Sequence, residues 1–174
     1  MSILTVKQGQ HDFKPSMIPW PRMLTNKVLY FEYTLTESCW YDSLGNDNYD
    51  FNKGVGLFQF LDFAKNFNAF MLAWRPKLDQ VNYFEFVPYE NRDKAILANE
   101  DKIRVYKAGD TIKGYFKPSS TGMELYLILE TSIILWHKSN LNTWLYGIVD
   151  SWFGGNNVSP QDMEANLIIR FTKL

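Results

Sequence analysis

The stretch MEANLIIRFT, Met163–Thr172, decides the fold. Met163, Ala165, Leu167, Ile169 and Phe171 alternate with Glu164, Asn166, Ile168, Arg170 and Thr172. Successive side chains of a strand point to opposite faces of its sheet, so a period of two predicts a strand with one face buried. The pattern recurs upstream. In Lys27–Leu35 it sets Leu29, Phe31, Tyr33 and Leu35 against Glu32 and Thr34; it returns in DTIKGYFK (Asp110–Lys117) and MELYLILE (Met123–Glu130). Weaker runs occupy Val55–Phe60, Phe67–Trp74, Val81–Val87, Ala95–Ala98, Ser132–Trp136 and Leu145–Trp152, and Met1–Gln8 alternates faintly. Turn-rich pieces such as RPKLDQ, KPSSTG, HKSNLN and FGGNNVSPQ lie between them, and only LDFAKN (Leu61–Asn66) suits a short helical turn. About ten strands with turn signals roughly every 8–12 residues predict an all-β antiparallel sandwich or barrel in one domain.

Composition agrees. A chain of 174 residues fits one domain, and the 17% of aromatic residues suits a pleated, half-buried surface. The net charge of −1 comes without a basic stripe, which argues against a nucleic-acid partner. The single cysteine, Cys39, excludes an intrachain disulfide and reads as a small buried hydrophobe. Neither a signal peptide nor an apolar run of about 20 residues is present, so secretion and membrane spanning are not expected. Pro15, Pro19 and Pro21 divide the chain into an edge strand with an extended arm (1–26) and the sandwich domain (27–174). The arm is expected to lie on its own domain or on a neighbour.

Few residues suggest chemistry. Only His11 and His137 occur, no serine has an evident base, and Glu85 and Glu90 differ by five positions and so face opposite ways on a regular strand. No catalysis and no cofactor are expected. The loop Asp42–Asn52 (DSLGNDNYDFN) is rich in oxygen ligands. Asp47 and Asp50, completed by Asp162, can hold calcium; the other reading is that Asn and Asp simply build turns. On Tyr83–Tyr89, alternation places Tyr83, Glu85, Val87 and Tyr89 opposite Phe84, Phe86 and Pro88. The Phe side is the expected core. Tyr83, Glu85 and Tyr89, with Trp74 and Arg75 on a neighbouring strand and Asn156 and Asn157 from the late loop, form the expected site for a glycan or protein partner. Core filling is the alternative for each aromatic. In the late loop, Gly154 and Gly155 are expected to supply positive backbone angles.

Four stretches carry a resemblance: SCWYDSLGNDNYDFNKGVGL (Ser38–Leu57), NAFMLAWRP (Asn68–Pro76), YFEFVPYENRDK (Tyr83–Lys94) and SWFGGNNVSPQDMEANLII (Ser151–Ile169). The chain resembles a group of small bacterial and phage proteins with a C-x-Y…D-x-N-K-x-x-G segment and a late F-G-G-N…P-x-D segment. Phe153, Gly154, Gly155, Asn156, Pro160 and Asp162 fit the late motif, while Ser159 and Gln161 replace the expected alanine and histidine. The strand order is similar to the concanavalin-like jelly roll of lectins and laminarinase-type glucanases. The resemblance implies a non-enzymatic structural or interaction protein, first of all a phage virion subunit (capsid decoration, fibre or tail-associated) in an oligomer or larger assembly, located in the virion or cytoplasm. The alternative is a lectin-like module that contacts host or dietary glycans. A glycan-cleaving enzyme ranks last, because the carboxylate pattern E-x-D-x-x-E of such glucanases is missing.

Overall fold

The computed structural model describes residues 1–16, 27–59, 68–92, 95–141, 145–154 and 158–173. Twelve strands appear among them: β1 (Ser2–Val6), β2 (Val28–Leu35), β3 (Asn52–Gln59), β4 (Asn68–Pro76), β5 (Tyr83–Arg92), β6 (Ala95–Ala98), β7 (Arg104–Lys107), β8 (Thr111–Ser119), β9 (Gly122–Ile128), β10 (Ile133–Ser139), β11 (Tyr146–Val149) and β12 (Met163–Thr172). They form two antiparallel sheets. The first runs β1-β12-β2-β8-β9-β10; the second runs β11-β3-β4-β5-β6, with β7 also paired to β5. The all-β jelly-roll sandwich read from the sequence is the observed fold.

The period of two explains why the sheets face each other. Leu29, Phe31, Tyr33 and Leu35 of β2, with Ala165 and Leu167 of β12, turn inward and are almost fully buried. They meet Leu57, Phe70, Leu72, Trp74, Phe84 and Phe86 of the second sheet. Edge-to-face pairs such as Phe70 with Phe116 (5.3 Å) lock this core. Cys39 is buried there, as expected, and burial pushes its thiol up to about 12.

Several boundaries differ from the sequence reading. The run at Val81 starts two residues later, because Asn82 takes a positive φ of 62° and the turn Lys77–Tyr83 uses the intervening backbone. β11 is shorter than Leu145–Trp152: it ends at Val149, and Trp152 then makes isolated bridges instead. β7 was not visible as a strand, since RVYK is a short exposed edge piece. The expected helical turn at Leu61–Asn66 lies outside the described residues. In the loop Asp42–Asn52, a 3-10 turn covers Gly45–Tyr49. Asn48 ties it together by accepting from the Leu44 N–H and donating to the Asp42 carbonyl.

The arm folds back on its own chain as far as it is described. Thr5 and Lys14 exchange two backbone hydrogen bonds of 2.7 Å, and Phe13 is buried in the core. Among the described residues, no helix is long and apolar enough to cross a membrane.

Candidate functional site

The sequence pointed to the outer face of the second sheet, and the register shows what is there. Arg75 and Glu85 are partners across β4 and β5, and Arg75 Nε donates to Glu85 Oε2 at 2.7 Å. The same guanidinium donates to the Tyr49 carbonyl at 3.1 Å and lies 4.4 Å from the Phe51 ring centroid. Arg75 therefore holds the Asp42–Asn52 loop against the sheet. Tyr83 sits further along this face, opposite Lys107 of β7.

Two expected site residues are corrected. Trp74 alternates with Arg75 and so points into the sandwich, where it is fully buried against Phe84. Tyr89 does face outward, but it is only 3% exposed, because a second apolar cluster roofs this face. Phe51, Phe58 and Tyr89 pack there with Ala69, Met71 and Ala73 of β4, and Ile103 and Trp152 lie against them. Asn156 and Asn157 lie outside the described residues. The Asp162 carboxylate accepts from Lys7 Nζ at 2.6 Å and from the Gln8 N–H at 2.9 Å, which holds its acid below the usual range. It serves to fasten β1, while Asp47 and Asp50 belong to the loop held by Arg75. Among the described residues, no group of three or more His, Cys, Asp or Glu could hold a metal ion.

Lys53 marks the centre of the roofed face. Its Nζ is buried, donates to the Phe51 carbonyl at 2.6 Å, and lies 4.7 Å and 5.9 Å from the Tyr89 and Trp152 ring centroids. Burial lowers its pKa to about 8, although Asp50 pulls the other way. The chain reaches this face through a bulge between Lys53 and Gly56, which lets Lys53 face outward while Val55 and Leu57 stay inside.

Beside this cluster lies a cavity of about 400 Å³. Phe58, Val149, Asp150 and Trp152 form its sheet side, and His11, Asp12, Lys14 and Ser16 form its arm side. Backbone pairing brings the two walls together. Asp12 bridges to Trp152, the Phe153 N–H donates to the His11 carbonyl at 2.8 Å, and the Phe13 N–H donates to the Ser151 carbonyl at 3.2 Å. Trp152 is held from behind as well, since it exchanges two backbone hydrogen bonds with Lys53. None of these lining residues was predicted. The arm residues are more than forty positions from Phe58 and more than a hundred from Val149, Asp150 and Trp152, and no local pattern reports a contact of that kind.

The late loop supports the same wall. Gly154 has no positive φ, contrary to expectation. It is required because the chain passes so close to Phe51 that an added Cβ would sit 2.3 Å from the Phe51 carbonyl oxygen. Its N–H donates to Asn52 Oδ1 at 2.7 Å. Gly154→Ala should therefore lower stability by about 2 kcal/mol, read as an earlier urea midpoint. A midpoint unchanged from wild type would contradict the close approach. Gln161, where the resembled motif has histidine, donates to the carbonyls of Ser38 and Trp40 at 2.7 and 2.9 Å and so ties the loop to the start of the Asp-rich segment.

Comparisons with known proteins add the fold. No family model and no curated protein matches the chain. Among solved structures, it is similar to a functionally unknown protein from Saccharomyces cerevisiae at 5% identity, covering 99% of this chain and 87% of that one, with a TM-score of 0.53. A homodimeric agglutinin from chicken liver aligns at 10% identity over 98% and 100% of the two chains, with a TM-score of 0.42. The first likeness supports the sandwich architecture alone.

Proposed function

We propose that this protein is a carbohydrate-binding β-sandwich module whose site is the cavity between the arm and the second sheet. The observation that carries this reading is the make-up of the walls. Trp152 and Phe58 offer apolar ring surface, and Asp12, Asp150, His11 and Ser16 offer hydrogen-bonding groups around it. Sugars present the matching chemistry: C–H faces that pack on aromatic rings, bordered by hydroxyls that bond to carboxylates and imidazole. The volume falls at the small end of the range for ligand sites and suits a mono- or disaccharide unit rather than a long chain. The virion role implied by the motif resemblance is supported by that resemblance alone, and the cavity favours ligand binding over it.

Screening on a glycan array, followed by calorimetric titration, tests the reading. Trp152→Ala should weaken binding of an array hit by at least about tenfold, the loss of roughly 1.4 kcal/mol of contact. A variant that binds as tightly as wild type would remove the cavity from the account. Binding without cleavage is part of the proposal, so release of new reducing ends from the bound glycan, abolished in Asp150→Asn, would replace it with a hydrolase.

A further inference from the structure

A smaller cavity, of about 130 Å³, lies beside the one assigned to the sugar. Its lining is mostly apolar. Leu4 of β1 and Leu167 of β12 are almost fully buried, Ile169 is partly buried against the same core, and Ser2, Pro15 and Ser16 complete the walls. Alternation brings these side chains together, since Ser2 and Leu4 take the inward side of β1 opposite Leu167 and Ala165 of β12. The arm sets this cavity next to the larger one. Thr5 and Lys14 exchange two backbone hydrogen bonds, so the segment that follows Lys14 leaves along the outer edge of β1. Lys14 lines the larger cavity, Pro15 lines the smaller one, and Ser16 lines both. The two cavities therefore meet at Ser16.

We propose that the two cavities take one ligand, a glycoside whose sugar lies against Trp152 and whose small apolar aglycone, a phenyl ring or a short alkyl chain, enters the smaller cavity. This rests on the sugar reading of the larger cavity and names the class of sugar derivative it takes. Size is the first support. An apolar cavity of about 150 Å³ accommodates one benzene ring, and the smaller cavity is close to that. Chemistry is the second. Leu4, Pro15, Leu167 and Ile169 offer only carbon, and no charged side chain is among the described residues that line this cavity. A further sugar unit there would leave hydroxyls without partners, whereas an apolar group needs none. The charged groups Asp12, Lys14 and Asp150 all belong to the larger cavity. The junction is the third. Ser16 Oγ accepts from Lys14 Nζ at 3.1 Å, which leaves the hydroxyl proton to donate to the glycosidic oxygen where sugar and aglycone join.

Calorimetric titration with paired methyl and phenyl glycosides of glucose, galactose, mannose and N-acetylglucosamine tests this. For a sugar that binds, the phenyl glycoside should bind at least about tenfold tighter than the methyl glycoside, the gain expected from burying one small ring. Ser2→Trp fills the smaller cavity from an exposed position, and Ile169→Gln makes its wall polar. Each should erase the phenyl gain and leave the affinity for the methyl glycoside unchanged. Circular dichroism melts check that both variants fold. Equal affinity for the two glycosides of a bound sugar overturns the aglycone site and leaves the sugar reading intact. A phenyl gain that survives both variants also overturns it, because the ring would then lie on Trp152 or Phe58 in the larger cavity. Phenyl glycosides that bind without shifting the Trp152 indole N–H in NMR would remove the sugar reading, and the joint ligand with it. A panel in which neither form of any sugar binds at millimolar concentration does the same.

Discussion

Glu90→Ala is expected to lower the free energy of unfolding by about 3 kcal/mol, because it opens a buried polar chain that joins the two sheets. Glu90 lies on β5 and is 6% exposed. One carboxylate oxygen accepts from Ser139 Oγ at 2.6 Å, and the other meets His137 Nε2 at 2.7 Å, both from β10 of the opposite sheet. His137 Nδ1 faces Lys102 Nζ at 2.7 Å, and the Trp136 indole donates to the Lys102 carbonyl at 3.0 Å. A lysine ammonium can only donate, so Nδ1 accepts and the ring proton sits on Nε2, pointed at Glu90. Alanine leaves the buried serine hydroxyl and the imidazole N–H without this acceptor. Glu90→Gln keeps one acceptor oxygen and should cost about half as much. Urea denaturation reads both. A Glu90→Ala midpoint within about 0.5 kcal/mol of wild type would contradict the bridge, since that is the scale of an inert surface change.

The second large effect is alkaline. Lys53 carries a pKa near 8 in the folded protein against 10.5 when unfolded, so below pH 8 the folded state holds a buried charge that the unfolded state holds in water. Between pH 8 and 10.5 the unfolded chain binds more protons, and stability rises with pH. The full relief is roughly 3 kcal/mol. Opposing groups enter later. Cys39, raised by burial from 9.0 to about 12, favours the folded state below pH 9 and loses that advantage above it. Tyr30 and Tyr89, raised chiefly by burial, and Tyr126, raised first by its bond to Glu124, all move from 10.0 to about 12 and act the same way above pH 10. Stability should therefore climb from pH 8, peak between about 9 and 10, and fall steeply beyond. Lys53→Met keeps the length and the apolar stem, so it should be more stable than wild type at pH 7 and show no climb. Chemical denaturation from pH 7 to 11 checks this; a climb that persists in Lys53→Met would assign it to another group.

Much of the sandwich was legible because alternation is local. The β2 and β12 patterns could be read directly from Lys27–Leu35 and Met163–Phe171: the inward residues of β2 and Met163, Ala165 and Leu167 of β12 are buried, and Ile169 and Phe171 are partly buried at the end of the strand. Alternation also separated Phe84 and Phe86 from Glu85 correctly, and it brought Arg75 to Glu85. The expected site was wrong at Trp74 because it took both Trp74 and Arg75, which are consecutive on β4 and so face opposite ways. Alternation placed Tyr89 on the outward face but missed its burial, because a period of two says which face a side chain takes and not whether another layer covers that face. The bulge between Lys53 and Gly56 broke the pattern where the buried lysine sits. The cavity was invisible for a different reason. Its two walls are joined by backbone hydrogen bonds between the arm and the late loop, and those bonds leave no mark on residue type.

The central claim is that the cavity between arm and sheet binds a sugar. Amide and indole NMR of the labelled protein, titrated with a glycan retained on the array, tests it most directly. The account predicts saturable shifts at the Trp152 indole N–H and at the amides of His11, Asp12, Phe58, Val149 and Asp150 that line the cavity. Shifts confined to the Tyr115–Tyr126 face, or no shifts at millimolar glycan, would contradict it.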